Sequence, residues 1–399
     1  MNILIIGGTG ILSTSVVNEC IQQGHSVTML NRGRRKEFIN PKATLIKCDV
    51  YNEQEVRSKL DGKFFDVVID FLIKKLPELK YSLSLFGKKG KQYIFISSAQ
   101  AYNTSVKGIL TEESELCQHL WSYSINKVKC EQYLKDYCTK NKINYTIIRP
   151  GVNYDNQRIP YGIYPPIDKH WTIAGRILAG KPMITWNNGL NRLNLTRTED
   201  FAKGTCGLLG KEEAYNEAFN VVGDYIYSWK EVLETLGEIL GVKVKTVDIP
   251  VDFYASELIG DDKEALLGGR SQDLCCSNEK LKKVFPEFKT QFNLKEGLLK
   301  TIKFYKENNY YHGIDYGWDG DTDRIINKFY SSINKDKDKN LHFISYMNCD
   351  RATEINNKKK YNNAFKKDTL LFKIKSFFKY YLYSVPKYLI GRISNSKKS

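Results

Sequence analysis

Short apolar runs alternate with helix-like segments over the first 150 residues. The first unit is an apolar run at Ile3–Ile6, a glycine-rich turn, a helix pattern from Ile11 to Gln23 and a second apolar run at Ser26–Leu30. Further strands are predicted at Thr44–Ile46, Asp66–Ile69 and Gln92–Ile96. Strands separated by helices are typical of a parallel sheet that is covered on both faces. We therefore predict an α/β fold with a doubly wound parallel sheet of the Rossmann type.

After residue 150 the pattern becomes less regular. Ala218–Val222 reads as a strand that returns to the sheet, and Trp229–Leu240 as an amphipathic helix of a smaller lobe. The predicted division of the chain is 1–165 as the sheet domain, 166–305 as the smaller lobe, 306–330 as a helical segment packed on the core, 331–368 as a linker and 369–399 as a basic helical tail.

The tail carries an apolar stripe at helical spacing. From Leu370 to Val385 apolar residues recur at intervals of three and four, lysines lie off the stripe, and Pro386 ends the run. A run of about sixteen residues that contains lysines is too short and too charged to span a bilayer. Two alternatives stay open for residues 369–390: peripheral contact with an anionic membrane surface, or docking on the protein or a partner subunit.

Composition and charge argue against a disulfide-rich, a metal-binding and a nucleic-acid-binding protein. The nine cysteines include no C-x-x-C pair and the five histidines show no ligand spacing, so neither a disulfide framework nor a metal site is predicted. The net charge is +16, of which +11 lies in residues 331–399, so we expect no specific binding of nucleic acid by the folded domain. We expect a cytoplasmic protein, with the inner face of the membrane as the alternative if the tail binds lipid.

The glycine-rich turn carries the first chemical signal. It reads Gly7-Gly8-Thr9-Gly10, with Ser13 where a third glycine is usual. Between a strand and a helix, such a turn lets a pyrophosphate approach the N–H groups at the start of the helix. The complete strand–turn–helix–strand unit predicts a dinucleotide cofactor.

The end of the second strand bears on which dinucleotide is bound. Residues 31–35 read Asn31-Arg32-Gly-Arg-Arg, without an acid for the ribose hydroxyls. The cofactor is therefore NAD or NADP, with NADP slightly favoured because Arg32 can pair with a 2′-phosphate. A solvated basic loop is the alternative. After the third strand, the Asp49 carboxylate can reach the adenine amino group.

Three further side chains predict acid–base chemistry. Tyr123 and Lys127 are four residues apart, so on a helix they share one face, and an ammonium beside a phenol favours the phenolate. Ser98 follows the strand Gln92–Ile96, at the sheet edge where ligands of such folds collect. The hydroxyl, the phenol and the amine can therefore converge on one carbonyl or carbinol.

The set of motifs GGTG, SSAQAY, YSINK and RPGVNY resembles the extended short-chain dehydrogenase/reductases, the NAD-dependent epimerase/dehydratase family, over residues 1–305. The resemblance implies Tyr123 as proton-transferring base and acid, Lys127 as the group that lowers its pKa and binds the nicotinamide ribose, and Ser98 as the hydrogen-bond partner of the reacting hydroxyl. The cofactor ligands that it implies, together with those of the second strand's end, are Gly7, Thr9, Gly10, Ile11, Leu12, Asn31, Arg32, Asp49, Val50, Phe71, Ser97, Tyr123, Lys127, Pro150 and Val152. The substrate ligands are Ser98, Asn153, Arg192 and Arg270, with a surface ion pair as the equal alternative for Arg192.

The resemblance also implies a reaction class. The usual substrate is a nucleotide-sugar, oxidised to a keto intermediate that is then reduced again. Dehydration is disfavoured, because the acid pair that sugar 4,6-dehydratases carry after the catalytic hydroxyl is replaced by Ala99 and Gln100. An NADPH-dependent reductase of another carbonyl compound and a non-catalytic, NAD(P)-binding RNA-binding or regulatory protein are the alternatives. The family analogy adds a homodimer through the Tyr123 helix.

Overall fold

The computed structural model describes residues 1–117, 120–310, 313–336 and 338–368, so the predicted tail 369–399 lies outside the described residues. The strands are β1 (Asn2–Ile6), β2 (Ser26–Asn31), β3 (Thr44–Lys47), β4 (Phe65–Asp70), β5 (Gly90–Ile96), β6 (Asn144–Pro150), β7 (Val152–Tyr154), β8 (Met183–Thr185), β9 (Arg192–Arg197), β10 (Glu217–Val221), β11 (Ile226–Ser228) and β12 (Thr246–Asp248). The α-helices are α1 (Ile11–Gln22), α2 (Glu53–Lys59), α3 (Leu76–Phe86), α4 (Ser122–Asn141), α5 (Trp171–Leu178), α6 (Thr198–Cys206), α7 (Trp229–Leu240), α8 (Val251–Glu257), α9 (Asp261–Ala265), α10 (Glu279–Val284), α11 (Leu294–Glu307), α12 (Tyr316–Ser332) and α13 (Arg351–Ala364).

The central sheet is the predicted Rossmann-type sheet. Its seven strands run in the order β10-β6-β5-β4-β1-β2-β3, and each neighbouring pair is parallel. The prediction of a doubly wound α/β fold is therefore confirmed. Each predicted strand and the returning strand β10 lie within two residues of their observed bounds.

The continuous apolar run of β1 has a direct physical cause. Residues Ile3–Ile6 are fully buried, because successive side chains point to opposite faces and both faces are covered. Ile3 and Ile5 pack in one cluster with residues of α1 and α6. Leu4 and Ile6 pack in a second cluster with residues of α3 and α4. A strand with only one buried face would have shown alternation instead.

A smaller lobe continues the chain beyond β6. Strand β9 pairs with both β7 and β11, and β8 pairs with β12. Its core is rich in aromatic rings, among them Trp171, Trp186 and Trp229. Because β7 follows β6 after a single glycine, the lobe stands beside the carboxyl ends of the sheet strands. How the chain divides into domains stays a prediction.

The segment predicted as a linker, 331–368, contains helix α13, which packs on α12. The Tyr346 and Tyr361 hydroxyls of this segment donate to Asp319 at 2.6 Å and to Asp323 at 2.5 Å. These aspartates of α12 also form fully buried ion pairs with Arg176 and Lys181. The polar composition of the segment predicted a linker, but these few side chains fix the segment on the lobe. Among the described residues no helix is both long and apolar enough to cross a membrane.

Candidate active site

The glycine turn between β1 and α1 has the shape that a pyrophosphate requires. Gly7 and Gly8 have φ values of +103° and +79°, which side-chain-bearing residues rarely adopt. A Cβ on Gly8 would lie 2.7 Å from Cε of Met29. The Gly10 N–H donates to Oγ of Ser13 at 2.8 Å, so the serine caps the start of α1. The residues present therefore fit a dinucleotide at the N-terminus of α1.

Residues at and after the end of β2 form hydrogen bonds with this glycine turn. The Asn31 side chain donates to the Gly7 carbonyl at 2.8 Å and accepts from the Gly33 N–H at 2.8 Å. Arg35, for which no role is predicted from the sequence, donates to the Thr9 carbonyl at 2.6 Å, whereas the predicted cofactor ligand Arg32 is exposed. The structure thus brings Arg35 rather than Arg32 into contact with the glycine turn.

The predicted adenine ligands lie at the neighbouring strand end. Asp49 follows β3, is exposed and accepts from the Tyr51 N–H at 3.2 Å. The Val50 carbonyl accepts from the Tyr81 hydroxyl at 2.9 Å. Both residues stand at the carboxyl edge of the sheet, outside the cavity described next.

A cavity of about 490 Å³ opens at the carboxyl ends of β1, β4, β5 and β6. Ser98, Tyr123 and Lys127 line it together, as the sequence predicts. The other predicted ligands that line it are Gly10, Ile11, Leu12, Phe71, Ser97, Pro150, Val152, Asn153 and Arg270. The strands and the first two turns of α4 therefore deliver one hydroxyl, one phenol and one amine to a single space.

Lys127 is held by the backbone. Its ammonium donates to the carbonyls of Ile73 and Ile96, each at 2.7 Å, and lies 5.6 Å from the centre of the Tyr123 ring. Burial lowers the pKa of Lys127 to about 8. The buried amine therefore gives up its proton far more readily than a lysine in water.

The phenol of Tyr123 is shifted in the other direction. Burial raises its pKa above the ordinary value, whereas the Ser98 hydroxyl and the charge of Lys74 lower it. Lys74, which also lines the cavity, is the cation whose charge lowers this pKa, and the predicted contribution of Lys127 stays a prediction. Lys74 follows β4 outside any recognisable motif, so its place in the cavity could not be predicted from the sequence.

Ser97, a predicted cofactor ligand that lines the cavity, also has a buried partner within the protein. Its hydroxyl donates to Glu131 at 2.5 Å, and Glu131 also accepts from Arg149 at 3.0 and 2.6 Å. The Glu131–Arg149 pair is 1% exposed, and Arg149 also donates to the Tyr102 hydroxyl at 2.7 Å. This network ties α4 to the ends of β5 and β6 and so fixes Ser98 and Lys127. The sequence offered one indication of this network, because Glu131 lies one helical turn after Lys127 and therefore on the same face of α4.

The two predicted substrate arginines are separated by the fold. Arg192 is exposed and forms an ion pair with Asp273 at 3.3 Å, outside the cavity, which favours the surface ion pair over the substrate ligand. Arg270 ends the π-helical turn Leu266–Arg270 and lines the cavity.

Several cavity residues were not predicted from the sequence, among them Trp121, Arg158, Tyr164 and Asp261. Trp121 donates from its indole to Asp261 at 2.8 Å, and its ring lies 5.2 Å from that of Tyr123. Arg158 and Tyr164 come from the loop between β7 and α5. Loop and turn residues from distant parts of the chain carry no periodic pattern, so only the fold brings them together. Among the described residues no group of three or more acids, histidines and cysteines could hold a metal ion.

Comparisons with known proteins agree with this geometry. Residues 7–174 match the NAD(P)H-binding family. The chain is 28% identical to chloroplast stem-loop binding protein of 41 kDa b from Arabidopsis thaliana over 74% of this chain and 77% of that protein. It is 22% identical to a putative UDP-glucose 4-epimerase of Methanocaldococcus jannaschii over 77% of this chain and 99% of the relative. UDP-glucose 4-epimerase of Thermotoga maritima superposes with a TM-score of 0.60 at 19% identity, covering 77% of this chain and 100% of the other. The chain therefore has an NAD(P)-binding domain and the fold of the NAD-dependent epimerase/dehydratase family, the extended short-chain dehydrogenase/reductases.

Proposed function

We propose that the protein is an NAD(P)-dependent epimerase or reductase that acts on a nucleotide-sugar through a keto intermediate. The observation that carries the proposal is the convergence of Ser98, Tyr123 and Lys127 in one cavity beside the glycine turn. The epimerase relatives and neighbours support the same reaction class. Bound at Gly7, Gly10 and the start of α1, the dinucleotide would supply reversible hydride transfer.

The side chains of this chain supply the remaining chemistry. In its phenolate form Tyr123 takes the proton of the reacting sugar hydroxyl, and the resulting phenol later returns it. Ser98 hydrogen-bonds the same oxygen and orients it towards the phenol. Lys127, fixed by two carbonyls beside the Tyr123 ring, would hold the ribose of the bound cofactor. The buried Glu131–Arg149 pair holds α4 in place while these groups act.

Dehydration of the sugar is disfavoured by the same cavity. Removal of water from the sugar needs an additional acid, and Ala99 is fully buried while Gln100 carries an amide. The amide oxygen of Gln100 is buried without a hydrogen-bond partner among the described residues, so it can accept a hydrogen bond from a substrate hydroxyl. We therefore assign Gln100 and Asn153 to substrate binding and not to acid catalysis.

The cofactor assignment is NADP in preference to NAD. No acid follows β2 at residues 31–36, and Arg32 and Arg34 are exposed there. An exposed guanidinium can pair with a 2′-phosphate. Titration with NADH and NADPH, followed by fluorescence, tests this choice, and tighter binding of NADH would reverse it.

The test of the reaction itself begins with native mass spectrometry of the purified protein. It shows which dinucleotide co-purifies and which member of a nucleotide-sugar library shifts the mass. The sugar that binds is then incubated with the enzyme and its isomers are separated. An epimerase turns over with catalytic cofactor, whereas a reductase consumes NADPH one for one. If the purified protein bound neither NAD(H) nor NADP(H), the proposal would be refuted.

A second candidate function is binding of structured RNA. It is favoured by the relative named as a stem-loop binding protein, and by the exposed cations Arg32, Arg34 and Lys36 after β2. RNA held by these cations would lose affinity steeply with added salt. A gel-shift titration of a stem-loop RNA, with and without saturating NADPH, separates the two functions. Binding that is unaffected by salt and by the triple substitution of these cations would exclude this candidate.

A further inference from the structure

The helix that carries Tyr123 begins at a residue that cannot cap it. Trp121 is the N-cap of α4, and Tyr123 is the second residue of the helix. The first N–H groups of a helix have no partner within it, and a short polar side chain at the N-cap usually binds one of them. In the described part of the chain, Trp121 forms no such cap, and the first turn of α4 contains no acid. The proposed proton-transfer group therefore stands where a helix frays most easily.

Segment 261–270, the α9 clasp, consists of α9 and the π-helical turn that follows it, and it supplies the missing partners. Glu264 accepts a hydrogen bond from the Ser122 N–H at 2.9 Å, although the two residues are 142 positions apart in the chain. Asp261 accepts the indole N–H of Trp121 at 2.8 Å. A carboxylate at the start of a helix also interacts favourably with the helix dipole. Two carboxylates of one short segment thus bind the first residues of α4.

The α9 clasp also packs against the backbone at the start of α4. A Cβ on Gly268 would lie 2.7 Å from Cβ of Trp121 and 2.9 Å from its backbone nitrogen, closer than real Cβ atoms approach. Only glycine therefore lets the turn come this near to the helix. The Trp121 ring in turn lies 5.2 Å from the Tyr123 ring. The clasp thus fixes both the backbone and the side chain of the N-cap residue.

Both ends of the α9 clasp are themselves anchored in the lobe. Glu257, the last residue of α8, accepts from Arg324 at 2.7 Å and from Lys328 at 2.5 Å. The Glu257 and Arg324 side chains are 7% and 4% exposed. Just after the π-helical turn, the Ser271 carbonyl accepts from the Asn191 side chain at 3.0 Å. Because it is anchored at both ends, the clasp can hold the start of α4 in one position.

We propose that Glu264 and Gly268 are positioning residues, which hold the first turn of α4 and so place the Tyr123 hydroxyl at the reacting oxygen. Neither residue lines the cavity, so their effect on the reaction passes through α4. Lys127 lies one turn deeper in the helix and is fixed by two backbone carbonyls, so cofactor binding does not depend on the clasp. The inference deepens the proposed function and rests on it, because Tyr123 is the group that the clasp positions.

Hydrogen exchange followed by mass spectrometry tests the clasp without a substrate. Glu264→Ala removes the acceptor of the Ser122 N–H and should speed exchange in residues 121–126 by a factor of about 2–30, the usual effect of a lost helix cap on local opening. Glu264→Gln keeps an acceptor of the same shape and should recover most of the protection. Glu231 accepts from the Ser228 N–H at 2.7 Å at the start of α7, so Glu231→Ala is the matched control and should leave exchange in α4 unchanged.

Steady-state kinetics on the nucleotide-sugar that binds tests the consequence for the reaction. Glu264→Ala and Gly268→Ala should each lower kcat about fivefold or more, because a catalytic group displaced by about 1 Å can cost a factor of about 100. KM and the affinity for the dinucleotide should stay within about twofold of wild type, as expected when only transition-state interactions are lost. Glu264→Gln should recover most of the lost kcat, and Glu231→Ala should keep the wild-type value although it loses a cap of its own.

Three results would overturn the positioning role. The first is equal exchange at the start of α4 in the wild type and in Glu264→Ala. The second is faster exchange with an unchanged kcat. The third is a weaker affinity for sugar or dinucleotide that accounts for the whole loss of kcat/KM, which would place the effect in binding. Failure of the proposed function is distinguishable, because a wild-type protein without turnover on any nucleotide-sugar would still show by exchange whether the clasp holds α4.

Discussion

Replacing Glu131 by glutamine keeps the shape of the side chain and removes its charge. The carboxylate accepts two hydrogen bonds from Arg149, at 3.0 and 2.6 Å, and one from Ser97 at 2.5 Å. Both members of the ion pair are 1% exposed. The substitution therefore leaves a buried guanidinium without a counter-charge, which typically costs about 3–5 kcal/mol.

Urea unfolding followed by tryptophan fluorescence measures the effect. Glu131→Gln should lower the free energy of unfolding by that amount, whereas Asp273→Asn, in the exposed pair with Arg192, should lower it by at most about 1 kcal/mol. Glu131→Leu combined with Arg149→Met removes both charges and should recover most of the loss. Because the pair fixes α4, the turnover of Glu131→Gln should also fall. Equal stability of Glu131→Gln and Asp273→Asn would refute this reasoning.

Three further substitutions test separate parts of the structure. Lys127→Met should abolish turnover yet stabilise the protein at pH 7, because burial lowers the pKa of Lys127 from 10.5 to about 8. The folded wild-type protein therefore loses this proton at lower pH than the unfolded protein, so wild-type stability rises with pH between these two values. The stability advantage of the variant, at most roughly 3 kcal/mol before the two lost hydrogen bonds are counted, should shrink towards pH 10 in thermal unfolding. An advantage that is the same at both pH values would contradict this. Gly8→Ala should weaken NAD(P)H binding at least tenfold in a fluorescence titration, whereas Gly24→Ala, with the same φ of +79° but nothing within 4 Å of the new Cβ, should leave that affinity unchanged. Asp319→Asn should destabilise the buried ion cluster by about 3–5 kcal/mol and expose residues 338–368 to limited proteolysis, and a digestion pattern identical to that of Asp273→Asn would contradict it.

The sheet and the three catalytic candidates could be predicted because their signals are local. A strand buried on both faces must be continuously apolar, as Ile3–Ile6 is, and a glycine turn with positive φ leaves few residue choices. Tyr123 and Lys127 lie one helical turn apart, so their spacing alone places them on one face. Ser98 joins them because all parallel strands of one sheet end at the same edge.

The remaining parts of the site depend on long-range packing that no local pattern records. The commitment of Ser97 to Glu131 requires β5 and α4 to be in contact. Arg192 and Arg270 looked equivalent in the sequence, yet one pairs with Asp273 at the surface and the other enters the cavity. The position of Arg158 in the cavity could not be predicted, because it depends on the folded conformation of the loop that places it beside Tyr164. Helix α13 was not predicted for the same reason, since the hydroxyl of its Tyr361 and that of Tyr346, just before the helix, bind a buried ion cluster.

The central claim is that the phenol of Tyr123 transfers the proton of the reacting hydroxyl. Its direct test is the turnover of Tyr123→Phe, loaded with the dinucleotide, on the nucleotide-sugar that binds the wild-type protein. We expect cofactor and sugar affinities within twofold of wild type and a turnover reduced by a factor of about 10² to 10⁴. Turnover within twofold of wild type, at unchanged affinities, would contradict the account.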